Sequence, residues 1–269
     1  MDYSRRFIVK PGSRVRLRDS DAAITVGVDD KKEARKRLRK NVERLGELQY
    51  TLYAEDRRAV LVVLQAMDAG GKDGAIRKVF GPINPQGCRV TGFKAPTTEE
   101  LAHDFLWRVH RAVPRRGEIG VFNRSHYEDV LIVRVRKLVP APVWRKRYRQ
   151  INDFERLLAE SGVRILKFFL HISKGEQLER LRARLEDPTK HWKANPEDFE
   201  ERKRWTQYLR AYEDAISRCT TAGAPWYVVP SDHKWFRDLV ISGILVKEMA
   251  EMHLSCPEPK LDVSKIRLT

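Results

Sequence analysis

Leu61-Val-Val-Leu-Gln-Ala-Met-Asp-Ala-Gly-Gly-Lys-Asp-Gly74 decides how this chain is read. A continuous apolar run leads into a loop with paired glycines and one lysine, after which a helix start is expected. That is the architecture of a phosphate cradle. Backbone N–H groups of such a loop point at an anion, the helix adds its positive end, and the lysine supplies a mobile charge. The stretch departs from GxxxxGK[ST] at both ends. Ala66 stands where the first glycine belongs, and Asp73 replaces the hydroxyl that holds Mg2+ in that motif. Without the hydroxyl, a metal needs other oxygen ligands. Asp68 and Asp73 are at hand, since Mg2+ takes carboxylates, waters and substrate phosphate oxygens.

Outward from this loop, apolar strands alternate with helical patterns. Strands are expected at 59–65, 89–93, 118–123, 163–172 and 226–229. Leu38, Val42, Leu45, Leu48 and Leu52 recur at helical spacing over 31–56. Val143, Tyr148, Ile151, Phe154 and Leu158 do the same over 142–161, and 235–254 reads as a last amphipathic helix. Thr97-Thr-Glu-Glu100 and Ser173-Lys-Gly-Glu176 are capping-box patterns at further helix starts. Continuous apolar strands separated by helices predict an α/β fold, with about five parallel strands covered on both faces. Residues 1–30 are polar and irregular and read as an N-terminal arm. Residues 31–256 read as one domain and 257–269 as a tail.

The chain has 269 residues, of which 53 are Lys or Arg and 37 are Asp or Glu, for a net charge of +16. That excess predicts an acidic partner: nucleic acid, an anionic membrane or a polyanionic substrate. The densest cluster, 31–40, holds seven basic residues and one acid and reads first as a solvated helix face. A nucleic-acid-binding role lacks any recognition motif, and the basic residues are not interleaved with stacking aromatics. Cys88, Cys219 and Cys256 are scattered, which implies neither a disulfide framework nor a zinc site. There is no apolar signal core and no run approaching the roughly 20 residues that span a bilayer, so a cytoplasmic protein without a membrane partner is expected.

Ligands of an open parallel sheet bind beyond the carboxyl ends of its strands. Two more such ends carry unusual polar residues. Val121-Phe-Asn-Arg-Ser-His-Tyr-Glu-Asp-Val130 ends a buried strand in consecutive polar groups. Arg124 is placed to clamp a transferring phosphoryl, and Asn123 holds the position that in phosphate-loop enzymes is often an acid near the metal. The bland alternative makes Ser125 a helix cap completed by Glu128, and His126 alone reads as a packed or solvated histidine. Arg180 and Arg184 then stand four apart on one helix face, where like charges repel unless an anion lies between them. Pro188 ends that helix, and Lys190, Trp192 and Lys193 follow on a basic segment suited to a lid at about 180–205.

In these motifs the chain resembles the polyphosphate kinase 2 family over most of residues 31–250. Gln65-Ala-Met-Asp-Ala-Gly-Gly-Lys-Asp-Gly74 is similar to that family's Walker A form, and Phe122-Asn-Arg-Ser-His-Tyr-Glu-Asp-Val130 to its Walker B region. Arg180, Arg184, Pro188, Lys190, Trp192 and Lys193 fall on its lid pattern. Asn123, where many members carry aspartate, is similar to the subgroup that accepts both AMP and ADP. The resemblance implies a three-layer α/β/α P-loop kinase fold, Mg2+ dependence with Mn2+ as a substitute, and homo-oligomers of two or four chains. It also implies reversible phosphoryl transfer from inorganic polyphosphate to AMP and ADP, giving ADP and ATP. Asp68, Lys72, Arg124, Arg180 and Arg184 are then the expected catalytic residues, with Asp68 on the metal. Ala69, Gly70, Gly71, Lys72, Asp73, Gly74, Lys190 and Lys193 are expected on polyphosphate. Phe93, Lys94, Asn123, Arg124 and Glu128 are expected on the nucleotide, where a neutral Asn123 repels AMP phosphate less than aspartate does. The remaining rival is an ATP-dependent nucleoside monophosphate kinase of the same fold class, weakened by the missing hydroxyl after Lys72 and by the basic excess.

Overall fold

The computed structural model describes residues 1–28, 30–193, 195–259 and 261. Its centre is a five-stranded, all-parallel sheet in the order β2-β3-β1-β4-β5. The strands are β1 Ala59–Ala66, β2 Cys88–Gly92, β3 Ile119–Asn123, β4 Val163–His171 and β5 Trp226–Pro230. Each lies within one residue of its expected bounds. The reason is physical: β1 is flanked on both sides and covered on both faces, so all eight of its residues are buried and all but Gln65 are apolar. β2, at the sheet edge, has no fully buried residue.

Alternate side chains feed two cores. Leu61, Val63, Phe122, Ile165, Phe169 and Trp226 point to one face. There they meet Tyr148, Ile151, Phe154 and Leu158 of the Ala141–Glu160 helix and Ala211, Tyr212 and Ile216 of the Trp205–Cys219 helix. Val60, Val62, Leu64, Val121, Leu166 and Phe168 point to the other. Leu45, Leu48 and Leu52 of the Lys31–Glu55 helix cover them, with Phe236, Leu239, Val240 and Ile244 of the Lys234–Ala250 helix. The result is the expected three-layer α/β/α architecture. The last helix stops at Ala250, four residues short of its predicted end, where the chain turns and His253 takes a φ of +50°.

The polar N-terminal stretch lies against this body. Tyr3, Val9, Leu17, Ala22 and Val28 are buried, and Ile8 forms an antiparallel bridge with Tyr227. No helix among the described residues is long and apolar enough to cross a membrane.

The strand order places the site. The chain leaves β1 for β2, leaves a gap that β3 fills, and then crosses to β4 on the far side of β1. Loops after β1, β3 and β4 therefore converge at one carboxyl edge, the switch point where open sheets bind ligands.

Candidate active site

The loop after β1 is bent by its backbone. Ala69 has a φ of +58° and Gly71 of +101°, and the Gly70 N–H bonds back to the Met67 carbonyl at 2.9 Å. A left-handed φ is uncommon for alanine, and such strain is characteristic of ligand clamps. A side chain at Gly70 would meet Ala66 Cβ at 2.5 Å, and one at Gly71 would meet Arg237 Nη1 at 1.9 Å. Lys72 opens the following Lys72–Ala75 helix and folds back so that Nζ donates to the Ala66 carbonyl at 3.3 Å. Burial pulls its pKa down, and the neighbouring Arg124 charge adds to that. Asp68, Glu128 and Asp73 oppose both.

At the end of β3, Arg124 also has a positive φ, +64°, and its backbone N–H bonds to Leu64 of β1 at 3.1 Å. Its Nη2 donates to Asp68 Oδ1 at 3.0 Å, tying the two strand ends together. Ser125 caps the next turn, accepting from the Tyr127 N–H at 3.2 Å. Glu128 does not close a capping box. With its amide nitrogen turned toward this carboxylate, Gln65 donates to Oε1 at 3.1 Å and accepts from Ser125. Burial raises the Glu128 pKa against the pull of Arg124 and Lys72. His126 is 1% exposed and bonds Glu155 at 3.1 Å, so it packs rather than facing the cavities.

Two cavities flank this junction. One, of about 830 Å³, is lined by the whole 68–74 loop together with Arg124, Arg180, Arg184, Lys190 and Trp192. The other, of about 690 Å³, is lined by Met67, Glu128, Asp129, Ile132, Val133, Leu138 and Tyr212. Asp68, Arg124, Phe93, Lys94 and Asp198 border both. The first is a basic channel. The second joins apolar walls to charged side chains of both signs, among them Arg108, Asp129, Arg136 and Glu201, which suits a planar organic ligand that carries phosphate.

The structure thus brings Asp68, Ala69, Gly70, Gly71, Lys72, Asp73, Gly74, Arg124, Arg180, Arg184 and Lys190 to one cavity. The Lys193 side chain lies outside the described residues. Two placements differ from expectation. Asn123 lines the glycine-loop cavity, where its Nδ2 donates to Asp73 Oδ1 at 2.9 Å. The alternation of β3 is the cause: Phe122 turns to the Phe93 side at a centroid distance of 4.9 Å, and Asn123 turns to the other. Arg180 is mostly engaged by protein. It donates to Glu176 at 2.8 Å, to the Ala69 carbonyl at 3.1 Å and to the Ser231 and Asp232 carbonyls at 2.5 and 3.0 Å. It braces the strained loop. Arg184 pairs with Asp198 at 2.7 Å, so protein acids relieve part of the repulsion expected between the two arginines.

Lys234 and Arg237, at the start of the last helix, and Arg77 also line the basic cavity. Periodicity gave no sign of them, because amphipathic spacing does not say which helix turn overhangs the sheet edge. Their signal was positional: the helix follows β5, so its first turn must stand at the carboxyl edge. Cys88, Cys219 and Cys256 are all free.

The profile of the family described as Polyphosphate kinase 2 (PPK2) matches residues 28–257. An AMP/ADP-polyphosphate phosphotransferase of Meiothermus ruber is 51% identical over 266 residues, covering 97% of this chain and 98% of the relative. An ADP-polyphosphate phosphotransferase of Rhodopseudomonas palustris is 46% identical over 267 residues, covering 95% and 92%. The crystal structure of Polyphosphate Kinase 2 from Arthrobacter aurescens TC1 superposes with a TM-score of 0.94 at 42% identity, covering 98% of this chain and 94% of the other. A glycine loop carrying Asp68 and Lys72, an arginine at the end of β3 and whole-length similarity lead to one conclusion: the chain belongs to the polyphosphate kinase 2 family.

Proposed function

We propose that the protein transfers the terminal phosphoryl of inorganic polyphosphate to AMP, giving ADP, and to ADP, giving ATP, in a reversible reaction. The observation that carries this is the pair of cavities meeting at Asp68 and Arg124. A polyanion lies in the basic one and a nucleotide in the apolar one, so donor and acceptor phosphates meet at the shared wall. The names of the two relatives support both acceptors.

A phosphate oxygen of the acceptor is already an anionic nucleophile, so no general base is required. Rate comes from positioning and charge stabilisation. Arg124, on the shared wall, and Lys72, in the basic cavity, neutralise the equatorial oxygens during transfer. Arg180 acts through the Ala69 carbonyl, holding the loop in its bent form. Phe93 and Lys94 line the entrance common to both cavities, and Glu128 lies on the acceptor side.

A divalent cation, Mg2+ with Mn2+ as substitute, fits the donor set. Asp68 opens on both cavities and Asp73 on the loop, while the described residues contain no group of three acidic, His or Cys side chains. That suits an ion held by one or two carboxylates that completes its shell from water and phosphate. When bound, it would neutralise phosphate charge. The segment at about 180–205, with Lys190 and Trp192 on the cavity wall, would close over the donor as a lid. We also place the protein in the cytoplasm, in keeping with its free cysteines, as a homodimer or homotetramer by resemblance to its family.

The test is donor choice. Protein, Mg2+ and AMP are incubated with polyphosphate or with ATP, and nucleotides are separated. ADP and then ATP are expected from polyphosphate alone. Product from ATP only would support the nucleoside monophosphate kinase reading.

A further inference from the structure

A second arginine lies against the glycine loop. We propose that Arg237 is a donor-binding residue whose Nη1 contacts the phosphate lying over Gly70 and Gly71. This deepens the proposed function and rests on it.

Arg237 is 2% exposed, in the first turn of the Lys234–Ala250 helix. Its Nε and Nη2 both donate to one oxygen, Asp238 Oδ1, at 2.8 and 2.6 Å. Its Nη1 has no hydrogen-bond partner among the described residues. That nitrogen is the one facing the loop, since a side chain begun at Gly71 would come within 1.9 Å of it. Arg180 flanks the same glycine, with Nη1 3.4 Å from the same point, but that nitrogen already donates to the Ala69 carbonyl at 3.1 Å. Arg237 also lines the basic cavity.

A guanidinium offers five N–H donors, stays charged, and suits phosphate geometry. Buried donors in folded proteins almost always find acceptors. Here the protein supplies a single carboxylate oxygen on the far side, and the near side opens on a cavity built for anions. Burial opposes the charged form of Arg237, Asp238 supports it, and Arg180 opposes it more weakly. An anion over the loop adds to the Asp238 side of that balance. Gly71 then has a second reason to be glycine: besides its φ of +101°, any side chain there would fill the space between Nη1 and the donor.

The competing reading is a structural ion pair that merely anchors the last helix. Two substitutions separate them, because they push in opposite directions under the proposal. Arg237→Gln removes the contact. It should raise KM for polyphosphate by about tenfold or more, as expected for a lost charge-assisted bond, and leave KM for AMP within about twofold. It should also flatten the salt dependence of KM for polyphosphate. Asp238→Asn keeps the shape of the pair but frees the guanidinium, and should lower KM for polyphosphate.

A structural pair moves both variants the same way, raising both KM values and lowering the unfolding midpoint; that result overturns the proposal. Should Arg237→Gln fail to fold, Asp238→Asn still decides, since an unchanged or raised KM for polyphosphate overturns it as well. Wild-type protein that makes no product from polyphosphate refutes the donor assignment itself, and the Arg237 contact falls with it.

Discussion

Lys72 sits where burial and Arg124 both disfavour its charge, and where three acids offset them only in part. Such a balance is found where charge must act on a ligand. Lys72→Ala should lower kcat by about 10²–10³, the usual loss for one preorganised donor, with an unchanged unfolding midpoint. Near-normal kcat would remove Lys72 from the chemistry. Lys72 was legible because a glycine loop and a helix start frame it in sequence. Asn123 was legible as a site residue but not in its orientation, which depends on the strand register. Its bond to Asp73 changes what Asn123→Asp should do. Two carboxylates at hydrogen-bond distance repel beside the donor phosphates. KM for polyphosphate should therefore rise while the AMP-to-ADP preference stays, and steady-state kinetics with each acceptor will show whether it does. Asp129 offers a pH test. Burial pushes its pKa up to about 6 from 3.8, against the pull of Arg147. A carboxyl raised in the folded state binds its proton more tightly folded than unfolded. Its contribution to stability is thus present below the unfolded value and is lost as pH rises through about 6. Relative to Asp129→Asn, the wild-type unfolding midpoint should fall between about pH 4 and pH 7; a constant difference would contradict this.

At the scale of elements, strands were easier to read than the supports beneath the site. Each strand is a short apolar run bounded by turn residues, and its burial follows from its place in the sheet. The Ala141–Glu160 helix and β4, by contrast, meet through a buried charge network that no local pattern announces. Lys167 of β4 is fully buried, with Nζ 2.5 Å from Glu155 Oε2, 2.9 Å from the Tyr127 hydroxyl and 2.6 Å from the Cys219 carbonyl. Tyr127 and His126 both bond Glu155, at 2.8 and 3.1 Å, so the network pins the turn that follows Arg124. Lys167→Met alone should destabilise by about 3–5 kcal/mol, because it strands a buried carboxylate. Lys167→Met combined with Glu155→Leu should recover most of that loss in denaturant titrations. A double variant as unstable as the single one would show that the pair is held for more than charge compensation. Lys234 and Arg237 escaped notice for a related reason. On a helical wheel they belong to a polar flank, and only the connection from β5 puts that flank over the glycine loop.

Across the whole molecule, the strand order brings three loops to one edge, and the basic excess becomes a directed property there. Nine basic residues line the cavity beside the glycine loop: Lys72, Arg77, Lys94, Arg124, Arg180, Arg184, Lys190, Lys234 and Arg237. A linear polyanion entering it should release counterions, so KM for polyphosphate should rise steeply with salt while KM for AMP changes far less. Equal salt slopes for the two substrates would argue against separate donor and acceptor cavities. The fold and the donor side of the site were legible because short motifs carry them. Of the second cavity only Phe93, Lys94, Arg124 and Glu128 were legible, since its other walls come from Met67, Ile132, Leu138 and Tyr212, which are far apart in sequence and join only in the fold. The most direct measurement uses polyphosphate labelled in its terminal phosphoryl, with AMP and Mg2+ and no ATP, followed through a single turnover. The label should appear in the β-phosphate of ADP at the rate of ADP formation. ADP that forms unlabelled, or only after ATP is added, would contradict direct transfer between the two cavities.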